Sequence, residues 1–237
     1  MPDRRDAAAG SPEERLARYR DLVGRYHPAL DLVSRRALDD LDRLIDEAGR
    51  YATLIERLVG PAPCVVDVGS GAGLPGVVVA VAMPAASVHL VERRRRRAAF
   101  LELVVAQLGL ANARVFAGDV RALEDVVADV VTAQAVASLR DLASLTEGVR
   151  GPACWLVSRR GPGWREGLVE PADLPGRGAV EGPEAPEAVA RRGVPAGPAA
   201  HAQTGWAATQ VVEEELGPRG SLVAIRLPGG SACRSSA

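Results

Sequence analysis

The stretch with the clearest capacity for chemistry is Val65-Val66-Asp67-Val68-Gly69-Ser70-Gly71-Ala72-Gly73-Leu74-Pro75-Gly76. A β-branched run enters it and an apolar run leaves it, so it reads as the turn between a strand and a helix. Glycines let a backbone turn sharply and approach a ligand closely. The helix that follows presents unpaired N–H groups and the positive end of its dipole. Two ligand patterns overlap here. Gly71 to Gly76 fits GxGxxG, and Glu92 follows about 20 residues later, the spacing of a dinucleotide turn and its ribose carboxylate. Gly69, Gly71 and Gly73 fit GxGxG preceded by Asp67. A carboxylate two residues before the first glycine attracts a cation and repels a pyrophosphate, and Pro75 removes an N–H that a pyrophosphate would use. A glycine turn with a purely structural role satisfies the same spacing.

Glu92 closes the next strand-like run, where a carboxylate can accept from both hydroxyls of a ribose. The plainer alternative is an acid at the start of a helix. Asp119, in Gly118-Asp119-Val120-Arg121, is placed to accept from an adenine amino group or to cap a short helix. Arg93 to Arg97 is a run of five guanidiniums. On a helix, neighbours differ by about 100°, so only two or three could face one phosphate strand, and a solvated helix end is the alternative. The three cysteines (Cys64, Cys154, Cys233) and three histidines (His27, His89, His201) are scattered. They suggest neither a disulfide framework nor a metal site. All 29 basic residues are arginine, which excludes Schiff-base lysine chemistry and a complete Walker A loop.

These residues need a frame. A chain of 237 residues can build one α/β domain with an appendage, or two small domains. With 47% hydrophobic and 25% charged residues, disorder throughout is excluded. A net charge of −1 rules out a dominant basic surface but leaves room for a local one. No run of about 18 apolar residues predicts a membrane span, and the first residues lack the apolar core of a secretion signal, so a cytoplasmic protein is expected. Ser11-Pro12-Glu13-Glu14 predicts a capped helix, with Leu16, Tyr19, Leu22, Val23 and Tyr26 at helical spacing and an end at His27-Pro28. A second helix is expected over 34–58. Residues 1–60 thus read as a helical extension packed on a domain over 61–230. Within that domain, strands at 64–68, 87–91, 113–117, 128–133 and 153–158 alternate with helices at 74–83 and 93–108, which implies a doubly wound parallel sheet. Residues 161–205 contain 9 Gly and 7 Pro and read as a loop or insert. Two runs, 209–216 and 221–227, flank Gly217-Pro218-Arg219-Gly220 as a hairpin, and 231–237 reads as a frayed tail.

The acid-plus-GxGxG pattern resembles motif I of the class I S-adenosylmethionine (SAM) methyltransferases, whose sheets also end in an antiparallel strand. Asp67 to Gly76 (DVGSGAGLPG) is more specifically similar to the DVGTGxGLPG loop of the bacterial small-subunit rRNA guanine-N7 methyltransferases, also called glucose-inhibited division protein B. Leu90-Val91-Glu92 followed by Arg96-Arg97 and Phe100-Leu101 resembles that family's acid, basic pair and FL helix. Ala135 to Leu139 resembles its RAxASL segment, and Tyr26 to Ser34 takes the place of its WNxxxNLT stretch. The likeness spans roughly 15–160. It implies a class I, Rossmann-like, mostly parallel seven-stranded sheet with SAM as cofactor. The implied cofactor contacts are Asp67, Gly69, Ser70, Gly71, Gly73, Leu74, Glu92, Asp119, Val120, Arg121 and Gln134. It also implies Gln134 and Arg160 as acceptor contacts, a 30S rRNA partner and a monomer. The chain departs from the family pattern in four places. Gln134 replaces an Arg, Arg160-Gly161 a Lys-Gly, and Asp119-Val120-Arg121 reverses an Arg-x-Glu. Arg43 stands where an HxxDSL stretch has His, with Asp46 kept. Two other activities therefore compete with rRNA methylation: transfer to a small-molecule acceptor or nucleoside, and SAM or rRNA binding without transfer.

Overall fold

The computed structural model describes residues 10–134, 138–161, 164 and 210–230. Short β-branched runs pair into one seven-stranded sheet of order β3-β2-β1-β4-β5-β7-β6. Its strands are β1 (Cys64–Val68), β2 (Ser87–Val91), β3 (Ala113–Phe116), β4 (Ala128–Ala133), β5 (Arg150–Arg160), β6 (Gln210–Glu215) and β7 (Ser221–Arg226). The first five are parallel, and β7 runs antiparallel to both β5 and β6. Strand order reverses between β1 and β4, so the C-terminal ends of these strands open a crevice of the kind that takes ligands.

Alternation along each strand sends side chains to two cores. Val65 faces α1 (Pro12–Leu30), α3 (Leu41–Val59), α4 (Gly76–Ala82) and α5 (Arg95–Leu108), where Tyr19, Leu54, Val79 and Leu101 are buried. Val66 faces the other side, where Leu139 and Leu142 of α6 (Leu139–Leu145) pack with Val131 and Leu156. The helix over Ser34 to Leu58 is two helices, α2 (Arg35–Asp39) and α3, separated at Asp40.

The capping box at α1 forms as its sequence predicts: Glu14 N–H donates to Ser11 Oγ, and Ser11 N–H donates to Glu14 Oε2. Pro28 does not end α1. Pro28 has no N–H to offer the Gly24 carbonyl, yet the helix runs on to Leu30 and closes at Asp31, whose N–H donates to the His27 carbonyl at 2.8 Å and whose left-handed backbone (φ 48°) then turns the chain away. The helix expected from Leu74 starts at Gly76, after a cis Leu74–Pro75 peptide. Arg93 and Arg94 precede α5, because the Glu92 carboxylate accepts the Arg94 N–H at 2.7 Å and holds Arg94 extended. The expected 161–205 insert, apart from residues 161 and 164, lies outside the described residues, as do 135–137 and the tail at 231–237.

Candidate functional site

The turn after β1 is a backbone structure. Gly69, Gly71 and Gly73 have φ of 68°, 55° and 105°, a region open to glycine at no steric cost. Its amides are largely spoken for within the chain. Gly69 and Ser70 donate to the Val91 carbonyl at 2.9 and 3.0 Å, and Gly73 donates to the Ser70 carbonyl at 2.6 Å. Gly71 donates to Glu92 Oε2 at 3.0 Å. The Tyr19 hydroxyl, from α1, donates to the Ala72 carbonyl at 2.9 Å and supports the loop from below. A Cβ at Gly76 would lie 2.4 Å from Leu90 Cδ2 and 2.7 Å from Asp67 Oδ2, so no larger residue fits the junction of loop and helix.

Two carboxylates sit at this end. Asp67 is 1% exposed. Its Oδ1 accepts from Thr132 Oγ1 on β4 at 2.7 Å, while Oδ2 is buried without a hydrogen bond. Burial pushes its pKa up to about 6, with the Thr132 hydroxyl opposing the shift. Glu92, also buried, binds both flanking amides, of Gly71 and Arg94, and so ties the ends of β1 and β2 together. Ser70 turns its hydroxyl inward to the Asp67 carbonyl. Val120 is buried in the core, and Leu74 packs partly against the other one. At these three positions the side chain builds the site, leaving the backbone or an edge for a ligand.

Asp119 lies at the end of β3 and caps the 3-10 turn Val120–Ala122. It accepts from the Arg121 N–H, Nε and Nη2, and Arg93 stands 4.0 Å away. The Arg121 side chain above all holds its carboxyl well below the usual range. Two more arginines of the run have local partners. Arg96 donates to the Ala29 carbonyl at 3.1 Å and Arg97 to the Asp31 carbonyl. Both cations therefore sit at the C-terminus of α1, where the helix dipole is negative.

At the other end of the crevice, Gln134 and Arg160, the acceptor contacts that the resemblance implies, stand at the ends of β4 and β5. They line a cavity of about 310 Å³ with Arg159, Gly161 and Arg219. Sequence reasoning missed Arg159, Arg219 and the buried Glu47 beside them. The one available signal was the i, i+4 spacing of Arg43 and Glu47 on a helix, realised as a 2.7 Å ion pair. Among the described residues, no cluster of three or more His, Cys, Asp or Glu could hold a metal ion, and no helix is long and apolar enough to cross a membrane.

A sheet of this order, with its glycine turn after β1 and an antiparallel strand between β5 and β6, has the class I, Rossmann-like methyltransferase fold. The chain belongs to the family described as rRNA small subunit methyltransferase G, whose family model matches residues 12–161. The curated relative of that name from Neisseria meningitidis serogroup C is 37% identical over 134 residues, which are 56% of this chain and 63% of the relative. The Halorhodospira halophila relative is 36% identical over 157 residues, 66% and 73% of the two chains. The one from Ralstonia nicotianae is 32% identical over 180 residues, 69% and 81%. The match thus spans less than two thirds of the length of the Neisseria relative. Among solved structures, that of MtNAS in complex with MTA and tNA shares the fold, with a TM-score of 0.54 at 16% identity, covering 90% of this chain and 69% of that one.

Proposed function

We propose that the protein is a SAM-dependent methyltransferase acting on the rRNA of the small ribosomal subunit. The observation that carries the cofactor reading is the hydrogen bonding of the glycine turn. A diphosphate needs free amides there. Those of Gly69, Ser70, Gly71 and Gly73 are taken within the chain, Pro75 has none, and two carboxylates, Asp67 and Glu92, stand at the same edge. A buried carboxylate with an unbonded oxygen favours a cation. This donor set fits a nucleoside with an ammonium tail and disfavours a dinucleotide. Asp67 would face the ammonium, Glu92 the ribose, and the backbone of residues 69–73 the body of the cofactor.

When bound, SAM supplies an activated methyl group. The chain's own residues then have to bind, orient and exclude water, bringing acceptor and donor into near-attack geometry. If the acceptor is guanine N7, as the family membership suggests, its lone pair is free and no general base is required. That economy suits the arrangement: Asp67 and Glu92 stand at the cofactor end, and Gln134 and Arg160 line the cavity at the ends of β4 and β5. Methyl transfer from labelled SAM to 30S subunits tests the reading. Label is expected in the small-subunit rRNA and in no small nucleoside. Label confined to a small-molecule acceptor, or to none, overturns it.

A further inference from the structure

Beyond the glycine turn, three guanidiniums converge on one carboxylate. Glu47, on α3, is 8% exposed. Its Oε1 lies 2.7 Å from Arg43 Nη1, a guanidinium it shares with Asp40, and 2.9 Å from Arg219 Nη2; its Oε2 faces Arg159 Nε at 3.5 Å, an ion pair without a hydrogen bond. These arginines come from three places: one turn back on α3, the end of β5, and the turn joining β6 to β7. Like charges repel, and long side chains lose rotamer freedom when fixed, so such a cluster needs a central counter-charge. The backbone beneath it is locked as well. Tyr51, one turn beyond Glu47, accepts the Arg159 N–H at 2.8 Å. A Cβ on Gly220 would fall 1.9 Å from the Arg160 carbonyl oxygen, so the hairpin turn is pressed against the end of β5.

Arg159 and Arg219 also line the cavity at the ends of β4 and β5. That cavity is two strand spacings, about 10 Å, from β1 and the glycine turn. A guanidinium fork matches phosphate oxygens in a way that a neutral acceptor would leave unused. We infer that Glu47 is a positioning residue that aims Arg159 and Arg219 at a phosphodiester of the acceptor RNA, next to the base that receives the methyl group. This rests on the rRNA reading above. Glu47 itself touches no substrate; it fixes where the two guanidiniums point.

The test uses the full chain with Glu47→Gln, Glu47→Asp and Arg219→Ala. SAM affinity is measured by calorimetry, KM and kcat by methyl transfer to 30S subunits, and 30S binding as a function of salt. By charge count alone, Glu47→Gln removes a negative charge and would tighten binding to a polyanion. Positioning gives the opposite sign: KM for 30S rises about tenfold, the scale of one lost charged hydrogen bond. SAM affinity and kcat hold steady, and Glu47→Asp recovers part of the loss. Arg219→Ala, on an exposed turn, lowers the slope of log K against log salt by about 0.7 to 0.9, one phosphate contact, and keeps the test decisive if Glu47→Gln fails to fold. A wild type that methylates 30S, with Glu47→Gln at equal or lower KM or an unchanged slope for Arg219→Ala, overturns this inference alone. A wild type that does not bind 30S overturns it together with the rRNA reading.

Discussion

The two ends of the crevice are made of different material. At β1 and β2 the site is backbone, with three glycines at positive φ and amides bound within the turn. At β4 and β5 it is side chain, with arginines from β5 and the hairpin gathered by a glutamate from α3. At Gly73 and Gly76 the backbone end has no room for added atoms. The arginine end tolerates atoms but depends on which charges face which. The departures from the family pattern fall at both ends: Arg43, Gln134 and Arg160 lie toward the arginine end, while Asp119 and Arg121 lie beside the expected adenine position, and the glycine turn itself is kept.

The sharpest way to break this comparison is Gly76→Ala. The new methyl would meet Leu90 and Asp67 at 2.4 and 2.7 Å in a closed core. Overpacking typically costs about 1–3 kcal/mol, and contacts this short place Gly76→Ala at the upper end, about 3 kcal/mol. The expected outcome is a fall in Tm of about 6–12 °C with loss of SAM binding, measured by thermal denaturation and calorimetry. A stable variant with normal SAM affinity would mean that the turn does not need glycine there.

Asp67→Asn comes next and separates fold from binding. The folded pKa of Asp67, about 6, lies above its ordinary value of 3.8. Its contribution to stability is therefore fully present below about pH 4 and lost as pH rises through about 6. The buried anion then costs on the order of 3 kcal/mol in the ligand-free protein. Asp67→Asn is expected to match wild-type stability at pH 4 and exceed it at pH 8, while binding SAM more weakly. Wild-type SAM affinity is expected to drop as pH falls through 6, because the ammonium needs the ionised form. A stability gap that does not change with pH contradicts this role.

The difference in material also decides what the sequence reveals. A residue type that permits positive φ is a local property, so the glycine turn, the α1 capping box and the hairpin at Gly217-Pro218-Arg219-Gly220 are visible in the sequence. Helix ends were less legible. Pro28 reads as a terminator, yet the loss of one hydrogen bond to an exposed carbonyl is tolerated in a last turn. Arg93 and Arg94 read as helical, yet Glu92 captures the Arg94 amide first. Ser70 and Val120 stand in the segments the sequence singles out, but their side chains point inward, which no motif reports. The Glu47 cluster was hidden because it exists only once α3, β5 and the hairpin are packed together.

Tyr51→Phe sharpens the arginine end. It removes one acceptor for the Arg159 N–H, a neutral hydrogen bond of about 1 kcal/mol. The ring remains to fill the core, so the expected result is a small fall in Tm and a raised KM for 30S, with SAM affinity unchanged. A variant that loses SAM affinity instead would join the two ends of the crevice into one unit.

The smallest expected effect tests the border between the two ends. The sequence leaves Asp119 either an adenine amino group to accept from or a turn to cap, and its carboxylate is occupied by Arg121, which donates from its backbone, Nε and Nη2. Both side chains are partly or largely exposed, at 28% and 68%, so the pair contributes little to stability. If adenine is read here, its amino group competes with Arg121 for the same oxygens. Arg121→Ala then frees the carboxylate while keeping the backbone cap, and SAM affinity improves by up to about threefold, the scale of one exposed pair. Asp119→Asn weakens SAM binding in the same assay. If Asp119 only caps the turn, Arg121→Ala leaves affinity unchanged, and the adenine is held by the backbone around Val120, which would extend the backbone-built end of the crevice by one more strand.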